Sequence, residues 1–320
     1  MEVRFWGTRG SLPASVNAGS IRQKIRGALQ IASQKGLGPD TDIDAFIDIE
    51  LPFWIKGTYG TNTSCVEIRE GKEFILCDAG SGIRDFGNRL LREDGRDTPK
   101  EYHILLSHPH WDHIQGFPFF VPALIKGNLI TIYGCHTDLE RAFSLQHSAP
   151  FFPLEFKDLE AEIRFVELVP SRPVTIAGFE VTPKEQTHPG SSYGYRLERG
   201  GKIIVYSTDS EHRMDDQEGL DSFGEFFSRA DLLIFDAQYT LAEAWTDKKD
   251  WGHSNNVIGV ELAQRAGVKR LCLFHQEPVS PDKHIDKLQQ DTRRLVSRLG
   301  KRKNEPLEVF IAWDGMVVKV

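Results

Sequence analysis

The sequence Ser107-His108-Pro109-His110-Trp111-Asp112-His113 contains three of the 11 histidines of this 320-residue chain within six positions, together with an aspartate. The residues before it, 102–106, form a short apolar run that is typical of a buried strand. A strand therefore leads into a polar loop. Because neutral imidazole and carboxylate groups bind borderline divalent metals, this loop is a candidate metal site.

The spacing within the loop favours two neighbouring metal positions. His108 and His110 lie two residues apart, so in extended backbone their side chains point the same way and can bind one ion. Asp112 and His113 are adjacent and diverge, so they can serve a second ion nearby. A polar turn with fortuitous histidines is the alternative, but tight turns call for Gly, Asn or Asp.

Several other apolar runs also end in a polar side chain of the ligand type. Strands that end at one edge of a fold bring such side chains together, which is how a site is commonly built. The residues that end these runs are Asp78, His188, Asp209, Asp236 and His275.

The pattern His108-x-His110-x-Asp112-His113 after an apolar strand resembles the signature of the metallo-β-lactamase superfamily, and the resemblance extends from Val3 to about Asp314. Residues 5–11 and Gly252-His253-Ser254 resemble the phosphodiesterase and ribonuclease Z-like branch. The resemblance implies an α+β protein with an αββα four-layer sandwich of two mixed sheets. We expect one domain over residues 1–320, with a helical insertion at about 18–56.

The resemblance also implies a set of metal ligands. The first ion is assigned to His108, His110 and His188, and the second to Asp112, His113 and His275, with Asp209 bridging both. Asp78 is expected to orient the ligand loop by hydrogen bonding without touching a metal. Two divalent transition-metal ions are therefore predicted, zinc foremost, with manganese and iron as alternatives.

The catalytic residues predicted on the same basis are Asp112, His253 and Asp236. In the similar branches the histidine of Gly-His-Ser faces the substrate and can protonate the leaving oxygen, and an acidic residue pairs with it. Asp236 occupies that place here. The alternative is that His253 only caps the helix that follows.

These expectations favour a dinuclear metal-dependent hydrolase that uses a metal-bridging hydroxide as nucleophile. A phosphodiesterase acting on a cyclic nucleotide or another small phosphodiester comes first. The alternatives are a ribonuclease Z-type tRNA 3′-processing endonuclease, a lactonase or thioesterase, and a ligand-binding protein without turnover.

Composition limits the partners and the compartment. The formal net charge of −7 disfavours an unaided grip on phosphate backbones, so a small substrate is expected, although RNA stays possible. No apolar run reaches the ~20 residues of a membrane span, and no leader-like segment stands out. Four cysteines without a C-x-x-C pattern predict free thiols and a cytoplasmic protein. A homodimer is also possible.

Three further segments carry expectations about local structure. Residues 18–56 should contain two helices, one around 21–32 and one over 40–55, near the site mouth or as a surface decoration. The aromatic segment 146–153 is either a wall of the substrate cleft or core. Residues 309–312 and 316–318 should close the chain as a strand pair.

Overall fold

The computed structural model describes residues 1–95, 100–241, 243, 248–299 and 307–320. Within them, two seven-stranded sheets form from the two halves of the chain. The strands have three to eight residues, and most of the central ones are apolar and buried along much of their length, as expected for strands covered on both faces.

The first sheet has the strand order β14-β1-β2-β3-β4-β5-β6. Its first members pair antiparallel, whereas β3 to β6 run parallel. The strands are β1 Glu2–Gly7, β2 Cys65–Glu70, β3 Glu73–Cys77, β4 Glu101–Leu105, β5 Leu129–Gly134, β6 Glu162–Glu167 and β14 Val317–Lys319.

The second sheet has the mirrored order β13-β12-β11-β10-β9-β8-β7, with β7 to β10 antiparallel and β10 to β13 parallel. The strands are β7 Val174–Ile176, β8 Phe179–Gln186, β9 Ser192–Arg199, β10 Lys202–Ser207, β11 Leu232–Asp236, β12 Arg270–Phe274 and β13 Glu308–Ile311.

Three apolar clusters account for the layers. One lies between the sheets and joins side chains such as Phe5 and Ile75 to Tyr195 and Phe274. A second lies between the second sheet and its outer helices, and a third covers the outer face of the first sheet. The expected αββα four-layer sandwich is therefore confirmed.

The longer helices lie on the outer faces. On the first sheet these are α4 Gly82–Asp94 and α6 Leu139–Gln146, with α5 Trp111–Ile114 inside the ligand loop. On the second sheet they are α7 Gln217–Phe226, α8 Asn256–Ala266 and α9 Asp282–Leu299. Short 3₁₀ turns occupy Phe117–Phe119, Val121–Leu124 and Phe156–Asp158. No described helix is long and apolar enough to cross a bilayer.

The insertion is helical, but its second helix differs from the prediction. The first, α1, spans Ala18–Lys35 and ends at Gly36 in a left-handed conformation. The predicted helix over 40–55 is split into α2 Ile43–Glu50 and α3 Phe53–Lys56. Pro52 explains the break, because the residue before a proline avoids helical angles and Leu51 has ψ 129°.

The predicted closing strand pair is wrong as a pairing. Both strands exist, but β13 pairs with β12 in the second sheet and β14 pairs with β1 in the first. The intervening turn around Asp314 crosses the edge of the sandwich. There the Asp314 carboxylate accepts hydrogen bonds from the backbone amides of Thr61 and Asn62, which ties the crossing to the first sheet.

The two phenylalanines of the aromatic segment 146–153 differ in exposure, and neither belongs to the buried core. Phe151 is 78% exposed, whereas Phe152 packs edge-on against Phe119 and His147. The four cysteines are free, and three of them are buried.

Candidate metal centre

Polar side chains collect at one edge of the sandwich because the strands that carry them end there. In the first sheet β3 and β4 run parallel, and in the second β10, β11 and β12 do so. These strands and β8 are followed or ended by Asp78, the His108 loop, His188, Asp209, Asp236 and His275.

Three of these residues have a left-handed backbone. The φ angles are 64° at Asp78, 51° at Asp209 and 61° at His275. Non-glycine residues adopt this conformation at a cost in conformational energy, and such strain gathers at functional sites. Here the left-handed conformation turns the chain sharply just after a strand.

The first group of donors consists of His108, His110 and His188, whose ligand atoms lie within 4.8 Å of one another. His188 Nδ1 donates to the carbonyl of Gly252 at 2.9 Å, so its Nε2 faces the group, 3.1 Å from His110 Nδ1. His108 Nδ1 lies 3.1 Å from Ser107 Oγ. Each of these outer contacts fixes one ring nitrogen and leaves the other available.

The second group consists of Asp112, His113, Asp209 and His275, again within 4.8 Å. His113 Nε2 and His275 Nε2 each lie 3.2 Å from Asp112 Oδ2. All four residues are buried.

Asp209 lies between the two groups. Its Oδ1 is 3.3 Å from the Nε2 atoms of both His113 and His275. Its Oδ2 is 3.7 Å from His108 Nε2 and 3.8 Å from His188 Nε2. One carboxylate oxygen therefore faces each group.

The charge states suit metal binding. Burial lowers the pKa values of His108, His110 and His188, which keeps these imidazoles neutral. Burial alone would raise the pKa of Asp209, but the facing imidazoles of His275 and His113 hold it well below its usual range. The three neutral imidazoles of the first group and the ionised Asp209 carboxylate are in the forms that coordinate a metal. Burial would lower the pKa of His113, but the carboxylates of Asp112, Asp209 and Asp78 raise it well above its usual range, so a metal that binds there would displace a proton.

Asp78 accepts four hydrogen bonds and is fully buried. Its Oδ1 accepts from the Ser107 amide at 2.7 Å, and its Oδ2 accepts from Ser107 Oγ at 2.9 Å. The same Oδ2 accepts from His113 Nδ1 and from the Tyr206 hydroxyl, both at 2.7 Å. Asp78 thus fixes the start of the ligand loop and one histidine tautomer.

The Asp236–His253 pair lies beside the second group. His253 Nδ1 donates to Asp236 Oδ2 at 2.8 Å, and the His253 ring lies 5.2 Å from that of His275. Burial opposes the charged form of His253, but the charge and hydrogen bond of Asp236 outweigh it and raise its pKa to about 9. The helix that follows is capped by the side chain of Asn255, so the capping role considered for His253 is taken by another residue.

Comparison with known proteins identifies the family. Residues 73–276 match the family model described as the β-lactamase superfamily domain. The chain belongs to this superfamily.

Individual members of the superfamily resemble the chain over most of its length. Ribonuclease Z of Pyrococcus horikoshii is 25% identical over 274 residues, covering 70% of this chain and 83% of that protein. The metallo-β-lactamase-fold protein YhfI from Bacillus subtilis is 20% identical, with a TM-score of 0.63 over 99% of this chain and 98% of that one. A diphosphatase from the PhnP family is 16% identical, with a TM-score of 0.58 over 100% and 97%.

The metallo-β-lactamase fold implies divalent metal ions, and the residues present fit them. The buried Nε2 atoms of His108 and His113 have no hydrogen-bond partner among the described residues. A buried nitrogen without a partner is costly unless something binds it. The donor set contains only nitrogen and oxygen, which suits zinc, manganese or iron.

Two residues around the centre of this metallo-β-lactamase fold were missed by sequence reasoning. Gln238 Oε1 accepts from His275 Nδ1 at 3.0 Å, and Gln238 Nε2 donates to Ser11 Oγ at 3.2 Å. The Ser11 amide in turn donates to Asp112 Oδ2 at 2.7 Å. Gln238 and Ser11 therefore connect two donors of the second group. The only sequence signal was the position of Gln238 two residues after Asp236.

A cavity of about 150 Å³ opens next to His253. Its walls include apolar Met214 and Ile258, the cationic Arg213 and Lys249, and the acidic Glu211 and Asp215. Glu211 accepts from the Gly252 amide at 3.1 Å and so holds the loop that carries His253 against this cavity.

Proposed function

We propose that this superfamily hydrolase is a dinuclear metal-dependent phosphodiesterase that cleaves a cyclic nucleotide or another small phosphodiester. The observation that carries the proposal is the 2.8 Å Asp236–His253 pair beside seven metal-type donors. A positioned proton donor next to a metal pair matches a reaction that must both activate water and expel a basic oxygen.

In this proposal His108, His110 and His188 would hold one ion, and Asp112, His113 and His275 would hold the other. Asp209 would serve both ions, since each of its oxygens faces one group at 3.3–3.8 Å. Two bound divalent ions, with zinc the leading choice, would activate water as the nucleophile and offset charge on the phosphoryl oxygens.

The remaining steps belong to residues of the chain. Asp236 accepts a hydrogen bond from His253 Nδ1, so the imidazolium keeps that proton and carries its second proton on Nε2. From there His253 donates that proton to the leaving oxygen as the P–O bond breaks. The leaving group would enter the cavity bounded by Met214, Ile258, Arg213 and Lys249. Asp78, Ser11 and Gln238 keep the donors oriented throughout.

Ribonuclease Z-type processing is the second function worth testing, because one relative with that name shares 25% identity over 70% of the chain. The net charge of −7 favours the small substrate. A panel of a cyclic nucleotide, an aryl phosphodiester, a precursor tRNA, a lactone and a thioester separates the candidate functions.

Metal analysis is the first experiment. Protein purified without chelator should hold two transition-metal ions per chain and hydrolyse the phosphodiesters faster than the lactone or thioester. Asp209→Ala should reduce the affinity for both ions, whereas His188→Ala should chiefly weaken one, since a terminal imidazole is not shared. A folded protein with one ion, or an Asp209→Ala variant that keeps both at wild-type affinity, contradicts the dinuclear assignment.

A further inference from the structure

The insertion has an unusual surface. Helix α1 has 18 residues and α2 has eight, yet neither contains a buried residue. Both helices instead expose large aliphatic side chains, up to 66% for Leu29 and 78% for Ile49. Proteins that act as monomers seldom expose such clusters. We define the insertion surface as the exposed side chains Ile21, Ile25, Leu29, Ile43, Ile47 and Ile49.

Another side of α1 packs against the rest of the chain. Lys24 Nζ binds the carbonyls of Trp54 and Gly57 and the carboxylate of Asp282, at 2.5–2.7 Å. Gly27 lies so close to Ile55 that a β-carbon would come within 2.8 Å of its Cδ1. Ile21, Ile25 and Leu29 recur every four residues and form a stripe along a neighbouring side of the helix. The stripe therefore stays uncovered by the described part of the chain.

Charge is segregated across the insertion. Helix α1 carries Arg22, Lys24, Arg26 and Lys35 and no acidic residue. Residues 40–50 carry five carboxylates, at Asp40, Asp42, Asp44, Asp48 and Glu50, and no basic residue. Within the described residues Lys35 pairs with Glu50 and Lys56 with Asp48, whereas no ion pair involves Arg22, Arg26, Asp40 or Asp44. These unpaired charges flank the exposed aliphatic side chains.

We propose that the insertion surface is the interface of a two-fold dimer with a second copy of this chain. In a two-fold interface each patch meets its counterpart twice, so a surface that holds both charge signs is self-complementary. Helix α1 of each copy meets segment 40–50 of the other, which buries the aliphatic side chains and pairs the arginines with the aspartates. An anionic membrane or RNA could bind the basic helix α1 alone, but the five carboxylates of residues 40–50 would repel either partner.

Sedimentation velocity on the full chain tests the proposal. Wild-type protein at micromolar concentration should sediment as a dimer. Ile25→Glu combined with Leu29→Glu should give a monomer, since the new carboxylates would be buried facing the aspartates of the other copy. Leu145→Glu is the matched control, because Leu145 is equally exposed, at 54%, on α6. It should leave the dimer intact.

Charge-reversal variants provide a second test if the variants of the aliphatic residues fail to fold or aggregate. Arg22→Glu with Arg26→Glu should give a monomer, and so should Asp40→Lys with Asp44→Lys. An equimolar mixture of these two variants should form a heterodimer, because each α1 then meets a segment of opposite charge in both contacts. Recovery on mixing requires cross-chain pairing and is not expected from a purely structural role.

Three outcomes overturn the proposal. They are a wild-type monomer throughout the micromolar range, a dimer that survives the Ile25→Glu/Leu29→Glu change, and reversed variants that do not associate when mixed. Pelleting of a wild-type monomer with phosphatidylserine vesicles, or its binding to precursor tRNA through Arg22 and Arg26, would assign the surface to that partner instead.

Discussion

At the scale of single residues, replacing His253 has the most specific expected effect on catalysis. On a diester with a poor, alkoxide-like leaving group, His253→Ala should lose about 10²–10⁴-fold in rate, the usual contribution of general acid catalysis. It should lose far less on an activated aryl diester, whose leaving oxygen needs no proton. Steady-state kinetics on both substrates measure the two losses.

Asp236 and the metal content supply the controls for this experiment. Asp236→Asn should give a weaker form of the same pattern, since it removes the carboxylate that holds His253 Nδ1. Metal content should stay at wild type in both variants. Equal damage to the two substrates would mean that His253 binds or positions the substrate, and loss of metal would make it a ligand.

His212 should make the fold sensitive to acid. Its ring packs against Phe223 at 4.4 Å and stacks on Phe235, and burial lowers its pKa to about 3. His212 has the higher pKa, near 6.5, in the unfolded chain. The contribution of the buried, neutral His212 to stability is therefore complete above that pH. It is lost as pH falls through the window from about 6.5 to about 3, at ~1.4 kcal/mol per unit.

Replacing His212 by Leu should therefore flatten the pH dependence of the unfolding free energy in that window. Urea titrations of the metal-free protein at pH 7 and pH 4.5 measure the difference in unfolding free energy between the two pH values. Phe223→Leu is the control, because it alters the same packing without removing a titratable group. An unchanged pH slope in His212→Leu would show that His212 is not the group responsible.

Residues whose roles depend on local spacing were predictable from the sequence, and residues brought together by long-range packing were not. The loop from His108 to His113 could be interpreted because a strand leads directly into it. Ser11 and Gln238 lie 227 positions apart, and their contact depends on the left-handed turn at Ser11, with φ 59°. A serine in a glycine-rich loop gives no sequence signal for an amide aimed at Asp112.

At the scale of elements, Lys24 holds the insertion in place. Three oxygen atoms surround its ammonium group, and hydrogen bonds to charged groups contribute about 1.5–3 kcal/mol each when well sheltered. Lys24→Met should loosen α1 from α3 and speed limited proteolysis of the insertion. Metal content should not change, since no assigned ligand lies in this segment.

Lys35→Met is the matched control for Lys24. The ion pair of Lys35 with Glu50 is 2.9 Å long but exposed, and exposed ion pairs contribute little to stability. Proteolysis should therefore proceed as in wild type. If both variants are cut equally fast, the anchoring role of Lys24 is wrong.

Element types were more predictable than their ends and partners. Helical spacing identified α1, but the amphipathic pattern ran through Leu51 and hid the break that Pro52 imposes. The closing strands were found and their pairing was not. Adjacent strands usually pair, but here Asp314 fixes the turn so that β14 joins β1.

At the scale of the whole molecule, the donors come from both sheets. The His108 loop follows β4 of the first sheet, whereas His188, Asp209 and His275 follow strands of the second. Bound ions would thus crosslink the sandwich at one edge. Binding to the native state alone stabilises it by about 2.7 kcal/mol per ion at 100 times Kd.

Chelation should accordingly lower the melting temperature and release both sheets together at this edge. Hydrogen exchange should rise in parallel at residues 106–113 and 207–210, and added metal should reverse both changes. Calorimetry with and without chelator gives the stability difference. Faster exchange in only one of the two segments would contradict a shared crosslink.

The four-layer architecture was predicted through the resemblance to the superfamily, because the strand pattern alone does not specify how two sheets pack. In the structure all strands up to β6 lie in one sheet and β7 to β13 in the other. Only β14 departs from this division. The homodimer and the role of the insertion stay predictions, because exposed residues leave no imprint on a single sequence.

The left-handed turns at Asp209 and His275 lie between the part of the site that sets reactivity and the part that sets substrate choice. Both donors lie within two residues of the end of a rigid strand, so the rest of the loop that follows can lengthen, shorten or be replaced without moving them. Reactivity is thereby kept in the strands, while the choice of substrate can drift in the loops. Exchanging residues 213–215, which line the cavity beside His253 and include no assigned donor, between members of the superfamily is a direct route to new substrate ranges on an unaltered centre.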